Sequence, residues 1–265
     1  MRNVGIYINS FDGYSDIWPS FFSIWNHYWE ECPYKMYLTS NEKEFHFNDL
    51  VVLKFGKETS WIERTIKTLE MIDEEYIIFF LEDYFISKKI SSEVIEEIIV
   101  HMKNNNLFYY QLSNRMNLEQ NKKYIKIDKS IPYPISLQLS IWNRMELLEF
   151  LKVMQFERVK SPWDFERYFI DKYKNSKGIL RGVEYDTRDI FGYKNGVLQG
   201  KWIRNTLRFY KKQGIKIDTS KRGIMTFKET LYYEIKKYFS YKMSSKNKRI
   251  IKSIMKKFGF KFMTD

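Results

Sequence analysis

Two adjacent carboxylates, Glu82 and Asp83, follow the uninterrupted apolar run Ile77-Ile-Phe-Phe-Leu81. Side by side, they suit a bound divalent cation, a ribose hydroxyl pair, or both. The plainer role is a strand that ends on two solvated acids.

A run apolar at every position fits a strand buried on both faces, as in the middle of a parallel α/β sheet. In such sheets ligands bind beyond the carboxyl ends of the strands, where these acids stand. The segments before it supply the rest of that architecture. Val4–Ile8 reads as a first strand, followed by the turn-rich Asn9–Asp16. Ser15 or Asp16 is placed to cap a helix whose apolar face is Trp18, Phe21, Phe22, Trp25 and Trp29. Tyr34–Leu38 and Leu50–Phe55 read as strands, and Ser60 as the cap of a helix carrying Ile62, Ile66 and Leu69. The order is that of a nucleotide-binding half-domain, and right-handed crossovers put Asp12, Tyr14, Glu82 and Asp83 in one crevice. No GxGxxG and no GxxxxGK[ST] occurs, which excludes a dinucleotide fingerprint and a P-loop.

Further along, Ser91 caps a helix to about Lys103, and Phe108–Leu112 reads as a strand. Ile135–Trp142 alternates apolar and polar residues, predicting a strand with Ser136, Gln138 and Ser140 on its polar side. Asn143 and Ser161 cap two more helices, the second with Pro162 at its first position. From Ile179 the pattern turns irregular, with glycines marking a hairpin-like region.

Composition narrows the class. The 265 residues are 44% hydrophobic and 29% charged, as in globular proteins. Aromatics, at 18%, suit a deep core or stacking platforms. A single cysteine, Cys32, excludes an internal disulfide framework and a cysteine zinc site, and His27, His46 and His101 have no ligand spacing. No signal-peptide pattern and no spanning apolar window occurs, so a cytoplasmic chain is expected. Of the +12 net charge, most falls in residues 235–265, where ten Lys/Arg face one acid, Asp265. A near-neutral body with a basic tail suggests docking by the tail and weighs against nucleic acid.

The chain resembles bacterial glycosyltransferases of the GT-A type, especially those of capsule and cell-surface polysaccharide synthesis. The likeness rests on Asp12-Gly-Tyr-Ser-Asp-Ile-Trp18, Trp61-Ile-Glu-Arg64, Leu81-Glu-Asp-Tyr-Phe85, Ser136-Leu-Gln138 through Trp142, Ser161-Pro-Trp-Asp-Phe-Glu166 and Gly200-Lys-Trp202. It spans roughly residues 4 to 205. It implies a GT-A-like α/β domain over 1–225, with a Rossmann-like nucleotide half (1–105), an acceptor half (106–225), a mixed central sheet and a basic helical tail (226–265). It also implies a nucleotide-sugar donor held by Ser10, Asp12, Tyr14, Arg64, Glu82 and Asp83, with a divalent cation (Mg or Mn) on Asp83. The family's metal motif is Asp-x-Asp, whereas these acids are adjacent, which leaves Lys or Arg as the other means of neutralising a leaving diphosphate. The acceptor, a glycan or lipid-linked glycan, is expected at Ser136, Gln138 and Trp163. Asp164 and Glu166 are the expected catalytic bases, in a helix's first turn where the dipole keeps carboxylates ionised; acids there also serve stability alone.

In the tail, Ile250, Ile251, Ile254, Met255, Phe258 and Phe262 recur at helical spacing among lysines. Such a basic amphipathic helix suits the anionic inner face of the cell membrane, or it packs back on the body. The alternatives to a transferase are a nucleic-acid-binding protein using the tail and a catalytically inactive binding module of the same fold.

Overall fold

The structure is a computed structural model that describes residues 3–113, 122–129, 131, 133–157 and 159–242, with side chains to residue 235. In chain order the main elements are β1 (Val4–Asn9), α1 (Trp18–Tyr28), β2 (Lys35–Ser40), β3 (Val51–Lys54), α2 (Trp61–Met71), β4 (Tyr76–Leu81), β5 (Tyr84–Phe85) and α3 (Ser92–Asn104). Then come β6 (Tyr109–Gln111), β7 (Tyr124–Asp128), β8 (Ser140–Asn143), α4 (Arg144–Phe156), α5 (Pro162–Lys172) and β9 (Ile179–Asp186). Short strands β10 (Lys194–Asn195), β11 (Val197–Leu198) and β12 (Lys201–Trp202) precede α6 (Arg204–Lys212) and α7 (Phe227–Lys242).

One sheet organises them, in the order β3-β2-β1-β4-β8-β6-β9-β7. Strands β3, β2, β1 and β4 are parallel; β8 runs antiparallel between β4 and β6; β9 is parallel to β6, and β7 closes the edge antiparallel. The expected Rossmann-like half and mixed central sheet are therefore both present. The unbroken apolar run of β4 has its cause in this packing. Ile78 and Phe80 enter a core shared with Trp18, Phe21 and Trp25 of α1, while Ile77 and Phe79 enter another shared with Trp61 and Leu69 of α2 and Phe165 of α5. Six of the seven tryptophans are buried, so the aromatic wealth is mostly core. Trp163 is the exception, 58% exposed at the start of α5.

Three readings need correction. Neither Ser15 nor Asp16 caps α1: Ile17 holds that position with no side-chain bond, because Asp16 is paired with Arg222 and Ser15 receives Lys43. Of the expected strand Ile135–Trp142 only Ser140–Trp142 is strand, the observed β8 running one residue on to Asn143; before it, Tyr133 has a left-handed φ of 57° and the buried segment is held through side-chain bonds from Tyr109 and Gln111. The irregular region from Ile179 opens with the eight-residue β9, bent where Gly182, at φ 72°, lies against Phe108. Among the described residues no helix is long and apolar enough to cross a membrane. The tail beyond Lys242 lies outside the described residues.

Candidate active site

β1 and β4 are paired so that Asn9 lies opposite Leu81, which brings the loop after β1 and the acids after β4 to one rim. This is where the strand order reverses, since β2 and β3 extend one way from β1 and β4 lies on the other side. Glu82 is buried, and Asp83 keeps part of its surface at the crevice although protein packs densely round it. No side chain among the described residues hydrogen-bonds either carboxylate.

Both acids titrate above the ordinary carboxylate range. Burial is the main cause; the Asp83 charge adds to it at Glu82, and Arg222 opposes it at both. Glu82 is pushed up to about 8 and Asp83 to about 7. The folded chain therefore binds protons that the unfolded chain releases from about pH 4 upward, so stability falls as pH rises from there to about 8. In chelator, the drop in unfolding temperature from about pH 5.5 to about pH 8.5 should be smaller in Glu82→Gln than in the parent. Equal drops would mean that the acid pair is already ionised across that range.

The loop facing the acids is built by hydrogen bonding. Ser10 is buried; its hydroxyl accepts the Trp18 indole N–H at 2.8 Å and its backbone exchanges bonds with Thr39. It supports the loop from inside and offers a donor no surface. The Asp12 carboxylate accepts the backbone N–H groups of Asn41, Glu42 and Lys43 at 2.9–3.3 Å, joining the loop to the end of β2. Tyr14 stands in the crevice, and burial and the two acids raise its pKa.

Arg222, which nothing in the sequence reading singled out, closes the other side. Its guanidinium bonds both Asp16 oxygens at 2.8 and 2.9 Å, donates to the Gly13 carbonyl at 2.7 Å and lies 4.3 Å from the Tyr14 ring centroid. The backbone positions it: Trp202 N–H donates to Gly223 O at 2.9 Å, and Met225 N–H returns to Trp202 O at 3.0 Å. The same region reaches the acids, because Gly196 N–H donates to the Asp83 carbonyl at 2.7 Å and β10 pairs with β5. A Cβ on Gly196 would sit 2.7 Å from the Phe85 ring, so the close approach needs glycine. A cleft of about 420 Å³ opens here, with Asp12, Ser15, Asp16, Lys43, Lys221 and Arg222 in its wall.

Arg64 lies on the buried side of α2 and its charge acts on Glu82, while its Nε has no hydrogen-bond partner. A buried donor left unbonded is costly; a ligand oxygen would relieve it.

The acceptor-side residues divide. Ser136 is fully buried, its hydroxyl donating to Gln111 at 3.2 Å, which leaves a sugar nothing to touch. Gln138 accepts the Tyr193 hydroxyl at 2.8 Å, and the Tyr193 ring packs 4.9 Å from that of Tyr84, next to Asp83. Glu166 is buried beneath this segment and accepts Leu137 N–H at 3.1 Å. Asp164 does what a first-turn acid commonly does: it closes a capping box with Ser161, and those bonds hold its carboxyl below the usual range.

The acid pair suits a divalent cation in its chemistry, being two hard oxygen donors with no competing donor side chain. No third acid or histidine joins them among the described residues, so a ligand's oxygens or water would complete the set.

No protein-family model matches the chain, and a comparison with curated proteins finds no match. Among solved structures it is similar to S. aureus TarS residues 1–349, with a TM-score of 0.48 and 11% identity over 91% of this chain and 73% of that one. A longer TarS chain gives 0.47 and 11% over 93% and 45%. The 2-C-methyl-D-erythritol 4-phosphate cytidylyltransferase of Thermus thermophilus gives 0.43 and 8% over 72% and 92%. Likenesses this distant carry no argument about activity.

Proposed function

We propose that this chain is a GT-A-like glycosyltransferase that moves a sugar from a nucleotide-sugar donor to a hydroxyl of a glycan acceptor. The observation that carries the reading is the crevice at the strand-order reversal, where two acids packed against protein, without hydrogen-bonding side-chain partners, feel the charge of Arg222, which also lines a neighbouring cleft with Lys43 and Lys221. That arrangement suits a diphosphate with a sugar on one side and a nucleoside on the other. Asp83, with Glu82 beside it, would hold a Mg or Mn ion, and a bound cation would stabilise charge on the departing diphosphate.

The chain's own groups do the rest. Arg222 and Lys221 offer donors to phosphate oxygens, and Tyr14 offers its ring to the nucleoside. Arg64 keeps positive charge behind Glu82. The acceptor lies along Gln138 and Trp163, and Glu166 takes the proton of the attacking hydroxyl. The acceptor oxygen bonds the anomeric carbon as the bond from that carbon to the diphosphate breaks, its electron pair leaving with the phosphate. In a cell this chemistry suits lipid-linked glycans of surface polysaccharides, at the inner membrane face.

Incubation with a panel of nucleotide sugars, with and without glycan acceptors, tests the reading. Release of nucleotide from one of them is expected; release from none would overturn it. Arg222→Ala should raise the donor KM by about 10- to 100-fold, the worth of a charge-assisted hydrogen bond. An unchanged KM would remove Arg222 from the donor site.

A further inference from the structure

The folded body carries a second basic surface, separate from the tail. Residues 201–222 hold eight Lys/Arg against the single acid Asp218. Three are occupied: Lys201 pairs with Glu229, Arg204 donates to Met225 O, and Arg222 is held by Asp16. Arg208, Lys211, Lys212, Lys216 and Lys221 are exposed and form no ion pair among the described residues.

Beside this charge lies apolar surface. Ile224 is 40% exposed, Phe227 70% and Leu231 50%. Phe227 and Leu231 are four apart on α7 and so share one side of it. Helix α7 is tied to β12 by Lys201–Glu229 at 2.7 Å and to α6 by Asn205–Glu234 at 3.0 Å. Ile224 adjoins Arg222 and Gly223 in the cleft wall.

We infer that α6, the segment 213–226 and the start of α7 form a membrane-docking face that fits an anionic lipid bilayer and sets the cleft at its surface. Lysines flanking exposed aromatic and aliphatic side chains are the pattern of an interfacial helix. Positive charge opposed only by Asp218, which acts on Lys216 and Lys221, complements acidic headgroups. The chain that continues from α7 has the same character, with lysines among apolar residues at helical spacing. The tail would then extend a contact that the body begins.

The test uses the full chain and vesicles, without turnover, so its failure is distinct from failure of the transferase reading. Phosphatidylcholine vesicles with about 30% phosphatidylserine should bind the protein at low salt, and pure phosphatidylcholine should bind it far less. The triple substitution Lys211→Glu, Lys212→Glu, Lys216→Glu should weaken binding at least about tenfold, and Phe227→Ser with Leu231→Ser by about as much. Unfolding temperatures near the parent's would show that both variants fold. A polarity-sensitive dye on Phe227→Cys, in a Cys32→Ser background, should shift to the blue on anionic vesicles. Parent-like binding by both variants, or no shift of the dye, overturns the proposal. So does tighter binding to a short single-stranded RNA that the lysine substitutions abolish, which would make the face a nucleic-acid surface.

Discussion

Asp83→Asn should lower turnover at least about 10³-fold while leaving the fold in place, because the amide keeps the shape and loses the charge. The reason lies in the burial of the pair. Two adjacent carboxylates placed against protein with only Arg222 and Arg64 as distant counter-charges are electrostatically unfavourable on their own. Removing one charge relieves the other, so the variant should be at least as stable as the parent above neutral pH. Loss of activity together with a gain of stability in the same substitution marks a functional site rather than a structural pair. Kinetics on the purified variant, with its unfolding temperature at about pH 8.5, check both halves. Near-parental turnover would remove the acid pair from the mechanism. Adding chelator to the parent separates the metal question: full activity there would assign the phosphate charge to Arg222, Lys221 and Lys43.

Glu166→Gln should lower turnover by about 10²–10⁴-fold, the usual contribution of a general base, with little effect on donor affinity. The choice between Glu166 and Asp164 rests on what each carboxylate touches. Asp164 Oδ2 takes the backbone N–H groups of Lys160 and Ser161 and the Ser161 hydroxyl. Glu166 is joined through Leu137 to the Gln138 segment, then through Tyr193 to Tyr84 beside Asp83. A path of contacts thus runs from Glu166 to the acid pair. Asp164→Asn should cost stability, on the order of 0.5–2 kcal/mol as for a weakened cap, and keep most turnover. Should Asp164→Asn lose the turnover and Glu166→Gln keep it, the two roles exchange.

Much of this was legible in the residues, for definite reasons. A strand packed on both faces has no choice but to be apolar throughout, so β4 announced itself and its terminal acids with it. Ser60 and Ser161 were readable as caps because capping is local chemistry, completed within three residues by Glu63 and Asp164. Arg222 was not, because its partner Asp16 and its stacking ring Tyr14 come from the other end of the chain. β9 was hidden by its inward polar residues. Glu184 meets His101 at 2.6 Å and Asp186 meets Arg188 and Tyr110, contacts that make buried acids tolerable but leave no apolar alternation to read. The buried segment before β8 misled in the opposite way, since its alternation is satisfied by hydrogen bonds from Tyr109 and Gln111 rather than by a neighbouring strand.

The Asp16–Arg222 bond joins residues 206 apart. Closing so long a loop carries a large entropy cost that local contacts cannot offset beforehand, so this bond forms late in folding. During synthesis the parallel strands β1 to β4 have long left the ribosome before Arg222 emerges. Until then Arg64 is the one arginine acting on the acids, at Glu82, and the crevice lacks the wall that Arg222 supplies. A nascent chain halted before residue 222 should therefore fold its first parallel strands yet bind no donor. The crevice is completed only when the segment around Arg222 comes into reach of the loop after β1.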